Sequence, residues 1–365
     1  VNVLVLHNEL TADASADELD VVVQRNAVLE SLLEQGYQVA SLACNLNLES
    51  TRQVLTEHRP DVVFNLVESL GRTDRLAPVV CMLLDALEIP YTGNQTDAIL
   101  ATSNKLTAKK RMLEAGLPTP AWRCNVRDSR RSVQPPRLFD PLRRRHSRWI
   151  LKPVLEHASF AMDDDSVVSV DRANQLSDCL LHREQLVGRP HFAEQYVEGR
   201  EFNLSLLNGR VLPPAEIEFV DFPLGKPRIV GHLAKWDCNS LEYQRTVRRF
   251  RFPAADRALL KELGRLAKRC WSLFGLSGYA RVDFRVDAEG QPWILEVNTN
   301  PCLSPDAGFA AALDQANIPF ASGVSRIVDC VVENDPQLQK IMQANAAHGL
   351  SADTPVMDVV SMAAL

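Results

Sequence analysis

Two segments near residue 290 constrain this chain more than any others. They are Arg281-Val282-Asp283-Phe284 and Leu295-Glu296-Val297-Asn298-Thr299-Asn300-Pro301. Residues two apart on a strand face the same side. Arg281 and Asp283 therefore project together, as do Glu296 and Asn298. Between them lies Asp287-Ala288-Glu289-Gly290, a turn sequence, so Tyr279–Val286 and Trp293–Val297 are expected to pair antiparallel. Paired in this way, Asp283, Glu296 and Asn298 converge on one face. Such an oxygen set suits Mg²⁺, with Mn²⁺ as its substitute, an ion that also takes phosphate oxygens and water. Arg281 stands beside the set as a fixed cation for a transferring phosphate. A hairpin edge facing solvent could carry the same residue types. Charges gathered on a buried face, however, need a metal or a partner.

The 365 residues exceed one ordinary core and imply two or three packed subdomains. Net charge is −6, which gives no general reason to expect nucleic acid or an anionic membrane as partner. No apolar run reaches the roughly 18–20 residues that span a bilayer. Val1–Leu6 lacks a basic flank and reads as a buried strand, not a signal peptide. The eight cysteines form no CxxC pair and no Cys/His zinc spacing, so free thiols in a reducing cytoplasm are expected.

Along residues 1–94, Val1–Leu6, Tyr37–Leu42 and Val62–Val67 read as strands, with helical spacing from Asp20 to Gln35 and Gly36 as its cap. Strand–helix–strand order implies a doubly wound parallel sheet covered on both faces. A second unit, 95–191, holds a helix at Lys105–Ala115 and the strand Trp149–Pro153. Between Trp122 and Trp149 lies an Arg-rich stretch, read as a solvated loop because no aromatic interleaving accompanies the charge. A third unit, 192–334, carries strands at Glu201–Leu207 and Ala215–Phe219, a helix at Ala254–Phe274, and the hairpin above. Residues 335–365 read as a helix-compatible tail.

The order RVDF, then LEVNTNP, resembles the metal-binding end of ATP-grasp enzymes, most closely the D-alanine–D-alanine ligases. That resemblance implies an α/β fold, α+β in its ATP-grasp part: the N-terminal doubly wound domain is followed by two ATP-grasp subdomains with ATP between them. It implies that Asp283, Glu296 and Asn298 hold two Mg²⁺ ions on the ATP phosphates, while Arg281 assists transfer and steadies the tetrahedral intermediate. Lys105 in Ser103-Asn104-Lys105-Leu106 and Lys152 in Ile150-Leu151-Lys152-Pro153 are similar to the family's phosphate lysines. Glu194-Gln195-Tyr196-Val197 looks like the adenine hinge, with the Glu194 side chain and the Val197 backbone as contacts. Glu201 matches the ribose glutamate. Ala234-Lys235-Trp236 resembles an omega-loop Ala-Lys-Tyr whose lysine reaches the γ-phosphate; this loop is expected across Gly231–Phe252.

The implied activity is ATP-dependent ligation of a carboxylate to an amine through an acyl phosphate. Small-molecule amino acids are the expected substrates, with neither nucleic acid nor membrane as partner and a homodimer left open. One rival, true D-alanine–D-alanine ligation for cell-wall precursors, differs only in substrate, and the altered loops argue against it. A non-catalytic ATP-binding scaffold is the rival from another class, opposed by the intact set of charged residues. The departures lie in the amino-acid pocket. The loop after the third strand reads Asn65-Leu66-Val67-Glu68-Ser69-Leu70-Gly71-Arg72, without the family's His-Gly and Gly-Glu-Asp-Gly. The glycine-rich loop after Lys152 is replaced by Glu156-His157-Ala158-Ser159-Phe160-Ala161, in which Glu156 and Ser159 keep polar character, Ser159 as a candidate catalytic group. Cys302 replaces a glycine whose backbone N–H helps hold the oxyanion, and it reads as a wall residue. Ala307 falls where a serine would hold the second substrate's carboxylate. Which of Asp17, Glu18, Asp20 or Glu68 meets the first substrate is open.

Overall fold

The computed structural model describes residues 1–11, 13–125, 147–333, 335–340 and 357–358. The core of the Arg-rich stretch and most of the tail lie outside the described residues. Three sheets organise what is described. The first is parallel: β1 (Asn2–Asn8) lies between β2 (Gln38–Cys44) and β3 (Val62–Asn65), with the short strand Met357–Asp358 beside β2. Helices α1 (Ala16–Glu34), α2 (Leu48–His58) and α3 (Ala77–Ala86) belong to this unit. β1 is apolar on both sides because both are covered. Val3 and Val5 join one core cluster with Val28 and Leu32 of α1, while Leu4 and Leu6 join another with Leu55, Val80 and Leu84.

After α4 (Thr96–Ser103) and α5 (Lys105–Glu114) comes an antiparallel sheet. It is built from β4 (Trp122–Cys124), β5 (Ser147–Pro153), β6 (Val167–Val170) and β7 (His191–Gln195), in the order β4-β7-β5-β6. β7 begins at the expected edge of the third unit yet pairs with the second unit's strands. Helix α6 (Ala173–Val187) buries Leu176 and Leu180 against Trp149, Leu151 and Ala193 of this sheet.

The third sheet contains β8 (Arg200–Leu207), β9 (Arg210–Val211), β10 (Ala215–Phe219), β11 (Thr246–Arg249), β12 (Tyr279–Val286) and β13 (Pro292–Asn298). Its order is β11-β10-β8-β12-β13, with β9 folded back on β8. The stretch expected to be an omega loop is partly regular: α7 (His232–Trp236), α8 (Leu241–Arg245) and β11 lie within it. Helix α9 (Arg257–Phe274) covers one face of the sheet, where Phe202, Leu204, Leu206, Val282 and Phe284 meet Leu263, Leu266 and Cys270. Pleating sends the alternate residues Glu201, Asn203, Arg281, Asp283 and Arg285 to the opposite face. Farther on, α10 (Gly308–Gln315) and α11 (Phe320–Glu333) return the chain toward the first sheet. Val324, Ile327 and Val328 of α11 share a core with Val28, Leu32 and Phe64.

Among the described residues no helix is long and apolar enough to cross a membrane. The described cysteines are free thiols.

Candidate active site

All three sheets contribute to one cavity of about 710 Å³. Its centre is the β12–β13 hairpin. Arg281 lies opposite Asn298 and Asp283 opposite Glu296, as strand spacing predicts. The register then slips: Phe284 pairs with Ile294, and Leu295 is the extra residue. This bulge has a purpose that simple alternation would miss. Ile294 and Glu296 would otherwise share a face, yet Ile294 is fully buried in the core that α4, α5 and α9 share with the sheet, and Glu296 lines the cavity.

Arg281 donates from Nε to Asp283 Oδ1 at 2.7 Å and from Nη2 to Oδ2 at 2.9 Å. Asn203 adds a bond to Asp283 Oδ1 at 2.8 Å. Burial pushes the Glu296 carboxyl up, but Lys105, His157, Arg281 and Lys152 outweigh it and lower the group to about 2. It is therefore ionised, as a metal ligand must be. Asn298 accepts a bond from the Asn300 N–H at 2.9 Å. Among the described residues no three His, Cys, Asp or Glu side chains gather as a self-sufficient metal site. Two carboxylates and an amide still fit a hard cation that completes its shell with phosphate and water oxygens.

The lysines converge on this hairpin from three directions. Lys105 opens α5 and donates to the Glu156 carbonyl at 2.6 Å. Lys152 leaves β5 and meets Glu194 at 2.5 Å. Lys235, on α7, lines the same cavity. Burial lowers the pKa of Lys105 and of Lys235. Glu201 pairs with Arg285 at 2.9 Å, and burial raises its pKa. Val197 lines the cavity beside Tyr196. The Glu194 side chain faces inward, to Lys152 and Lys109. The Ser159 hydroxyl donates to the Val230 carbonyl at 2.7 Å, and Trp236 Nε1 donates to the Ala158 carbonyl at 3.2 Å. These bonds join the loop after β5 to the α7 segment.

At the amino-acid end, Glu18 is engaged by Arg72 at 3.2 Å and accepts from the Ser15 N–H at 2.9 Å. Asp20 accepts from Ser304 Oγ at 2.6 Å and from the Cys302 thiol at 3.1 Å. Gln24 bridges Asp20 and Glu68, donating at 3.2 and 3.3 Å. The Asp17 side chain lies outside what is described. Burial, with Asp20 and Glu68 nearby, raises the Cys302 thiol, which suits a wall residue and not a nucleophile.

Sequence reading missed Asn203, Arg285, Lys109 and the Asp20–Gln24–Ser304 network. The first three carried a usable signal. Asn203 and Arg285 follow Glu201 and Asp283 by two on their strands, and Lys109 follows Lys105 by four on its helix. The network joins α1 to a loop nearly 300 residues away, for which local spacing has no signal.

An antiparallel sheet on either side of a cavity lined by lysines and a two-carboxylate hairpin, behind a parallel N-terminal sheet, defines an ATP-grasp enzyme. The comparisons agree. A family profile described as D-ala D-ala ligase C-terminus matches residues 113–329. The D-alanine–D-alanine ligase of Pseudomonas putida (strain GB-1) is 32% identical over 306 residues, covering 81% of this chain and 85% of that protein. That of Methylococcus capsulatus is 29% identical, covering 86% and 92%. The crystal structure of the D-alanine–D-alanine ligase from Bacillus anthracis complexed with ATP aligns with a TM-score of 0.68 at 18% identity, over 93% of this chain and 99% of that one. The chain belongs to the D-alanine–D-alanine ligase family, and with it to the ATP-dependent ligases that form carbon–nitrogen bonds.

Proposed function

We propose that this enzyme joins two amino acids, or a closely related carboxylate and amine, at the expense of ATP. One observation carries the reading: Lys105, Lys152, Lys235 and Arg281 surround Asp283 and Glu296 in a single cavity. A carboxylate is a poor acyl donor. Transfer of the γ-phosphoryl group to its oxygen gives an acyl phosphate and ADP. Attack by the amine and departure of phosphate then give the amide. Catalysis here means placing charge where phosphate charge builds. Lys105 and Lys152 hold the phosphates, Lys235 arrives with the α7 segment, and Arg281, fixed by Asp283, faces the reacting group. Glu201 serves the ribose and the Val197 backbone the adenine, with ATP between the second and third units. Asp283, Glu296 and Asn298 would hold Mg²⁺, which supplies Lewis-acid neutralisation of the phosphates. Ser159 ties the loop after β5 to the α7 segment. D-alanine is the first substrate to test, because the curated relatives carry it in their names.

The test is phosphate release from ATP over a panel of single and paired amino acids, with hydroxylamine to trap the acyl phosphate as a hydroxamate. Release should require a carboxylate substrate, stop with EDTA and return with Mg²⁺ or Mn²⁺. Asp283→Asn and Glu296→Gln should each lower turnover by about 100-fold or more with the fold intact by circular dichroism. Full turnover in chelator would overturn the metal assignment, and no release with any pair would overturn the ligase reading.

A further inference from the structure

We infer that Lys109 is a positioning residue for the nucleotide: it takes up the charge of Glu194 and so leaves the charge of Lys152 to the cavity. The inference rests on the proposal above that Lys152 faces the ATP phosphates.

Three charged side chains run in a line from the interior to the cavity. The Lys109 and Glu194 side chains are each 1% exposed, against 12% for Lys152. Lys152 and Glu194 line the cavity, and Lys109 lies behind them. One Glu194 oxygen meets Lys152 Nζ at 2.5 Å, and the other faces Lys109 Nζ. Lys109 also donates to Thr119 Oγ1 at 2.7 Å, and Thr119 donates to the Ile294 carbonyl at 2.9 Å. The line is therefore anchored to β13, the strand that carries Glu296. Burial lowers the Lys109 pKa, and Glu194 opposes that fall. Burial raises Glu194, but the two lysines outweigh it and keep it ionised.

Charge counting gives the consequence. Two ammonium groups and one carboxylate sum to a single positive charge, and the exposed end of the line is Lys152. An inert buried ion pair would need one lysine. The second makes the cluster cationic, and the surplus emerges where an anionic ligand can reach it. Without Lys109, Glu194 would belong to Lys152 alone. That pair would be neutral, and the phosphates would lose one of three lysine charges.

Calorimetric titration of ATP, and of inorganic tripolyphosphate, into the full chain, with thermal melts alongside, tests this. Lys152→Met should weaken ATP binding. Lys109→Met should weaken it by roughly tenfold or more, since a unit charge is cancelled in a poorly solvated site. Lys109→Arg keeps the charge and should bind close to the native affinity. The deciding variant is Lys109→Met with Glu194→Gln. It removes both buried charges, restores the surplus on Lys152, and should return the affinity for inorganic tripolyphosphate, which has no adenine for Glu194 to contact, to within about threefold of native. A packing role would not produce that recovery, because the double variant loses more native contacts than the single one. If Lys109→Met alone fails to fold, the double variant still decides: tripolyphosphate affinity as weak as that of Lys152→Met overturns the inference. Native affinity in folded Lys109→Met also overturns it while leaving the phosphate role of Lys152 standing. Native affinity in Lys152→Met removes that role, and the inference with it.

Discussion

Glu68 shows how far one residue's surroundings can move its chemistry. Burial, with Asp74 and Asp20 nearby, pushes its carboxyl from the ordinary 4.5 to about 7, against the bond from Gln24. In the unfolded chain it would titrate near 4.5. Below that pH both states are protonated and Glu68 contributes nothing. Between about 4.5 and 7 the unfolded state ionises first, so it binds fewer protons and stability falls as pH rises. Above about 7 the penalty is complete. Glu68→Gln should therefore leave stability at pH 4 unchanged and raise it at pH 8 by on the order of 2 kcal/mol, allowing for partial solvent screening. Urea melts at the two pH values check this. A Glu68→Gln gain that is equal at both would mean that packing, not ionisation, sets it. Asp20 and Glu68 were readable as candidates only through the family resemblance of the segments that hold them. Their shared partner Gln24 was not, since an amide on an amphipathic helix carries no mark of what it bridges.

At the scale of single elements, the loop after β5 departs from glycine in sequence but not in shape. Ala158, Ser159 and Ala161 have φ of 54°, 60° and 52°, the left-handed region in which a β-carbon is crowded. Three such residues in one loop need an outside hold. It comes from the Ser159 bond to Val230, the Trp236 bond to Ala158 and the His232 N–H bond to the Met162 carbonyl at 2.8 Å. Ala161→Gly relieves crowding worth about 1 kcal/mol and loses part of that to the freer unfolded chain. It should raise Tm slightly or leave it unchanged, while Ala161→Val should lower stability by about 1–2 kcal/mol. Equal Tm values for the two variants would show that the loop relaxes. The strands were legible for the opposite reason. Polar alternation in Tyr279–Val286 and unbroken apolar runs in β1 follow from which faces are covered. The bulge at Leu295 and the backbone sign at Ala158 were not legible, because both arise from what the surrounding chain demands. The same holds for Gly231–Phe252, where the resemblance to an omega loop suggested no regular structure. β11 forms there because β10 offers it an open edge, and its Arg249 finds Glu216 and Glu218.

Across the whole molecule, two joints set the geometry of the cavity, and they differ in strength. The first and third units are clasped by Asn94, which is 2% exposed. Its amide donates to the Tyr279 and Thr299 carbonyls, both at 2.7 Å, and its oxygen accepts from the Ser277 N–H at 3.0 Å. Behind it Gly93 and Gly278 approach so closely that a β-carbon on Gly278 would lie 2.9 Å from Gly93 Cα. The second joint, from the α7 segment to the loop after β5, is a few single hydrogen bonds among partly exposed groups. Local opening is cheapest where buried apolar contacts are few. An acyl phosphate must be kept from water, so the weak joint is the natural gate. Opening it would carry Lys235 away from Arg281 and the hairpin, and closing it would return the lysine with the nucleotide in place. Of Arg245, Arg248 and Arg249, Arg245 at the end of α8 has a side chain 47% exposed, bonded to the exposed Asp221, and is the one not held in a strand. Arg248 and Arg249 lie in β11 and are cut only when that strand leaves β10. Cleavage at Arg245 should therefore be the fastest of these three without ligands, and all three sites should be protected by ATP, Mg²⁺ and a carboxylate substrate together. Lys235→Ala should lower kcat by about 100-fold or more while changing the ATP KM by less than about threefold, because the lysine acts on charge that appears as the phosphoryl group moves. A rigid surface segment with a solvated lysine predicts the contrary on both counts: equal cutting with and without ligands, and a near-native rate for Lys235→Ala.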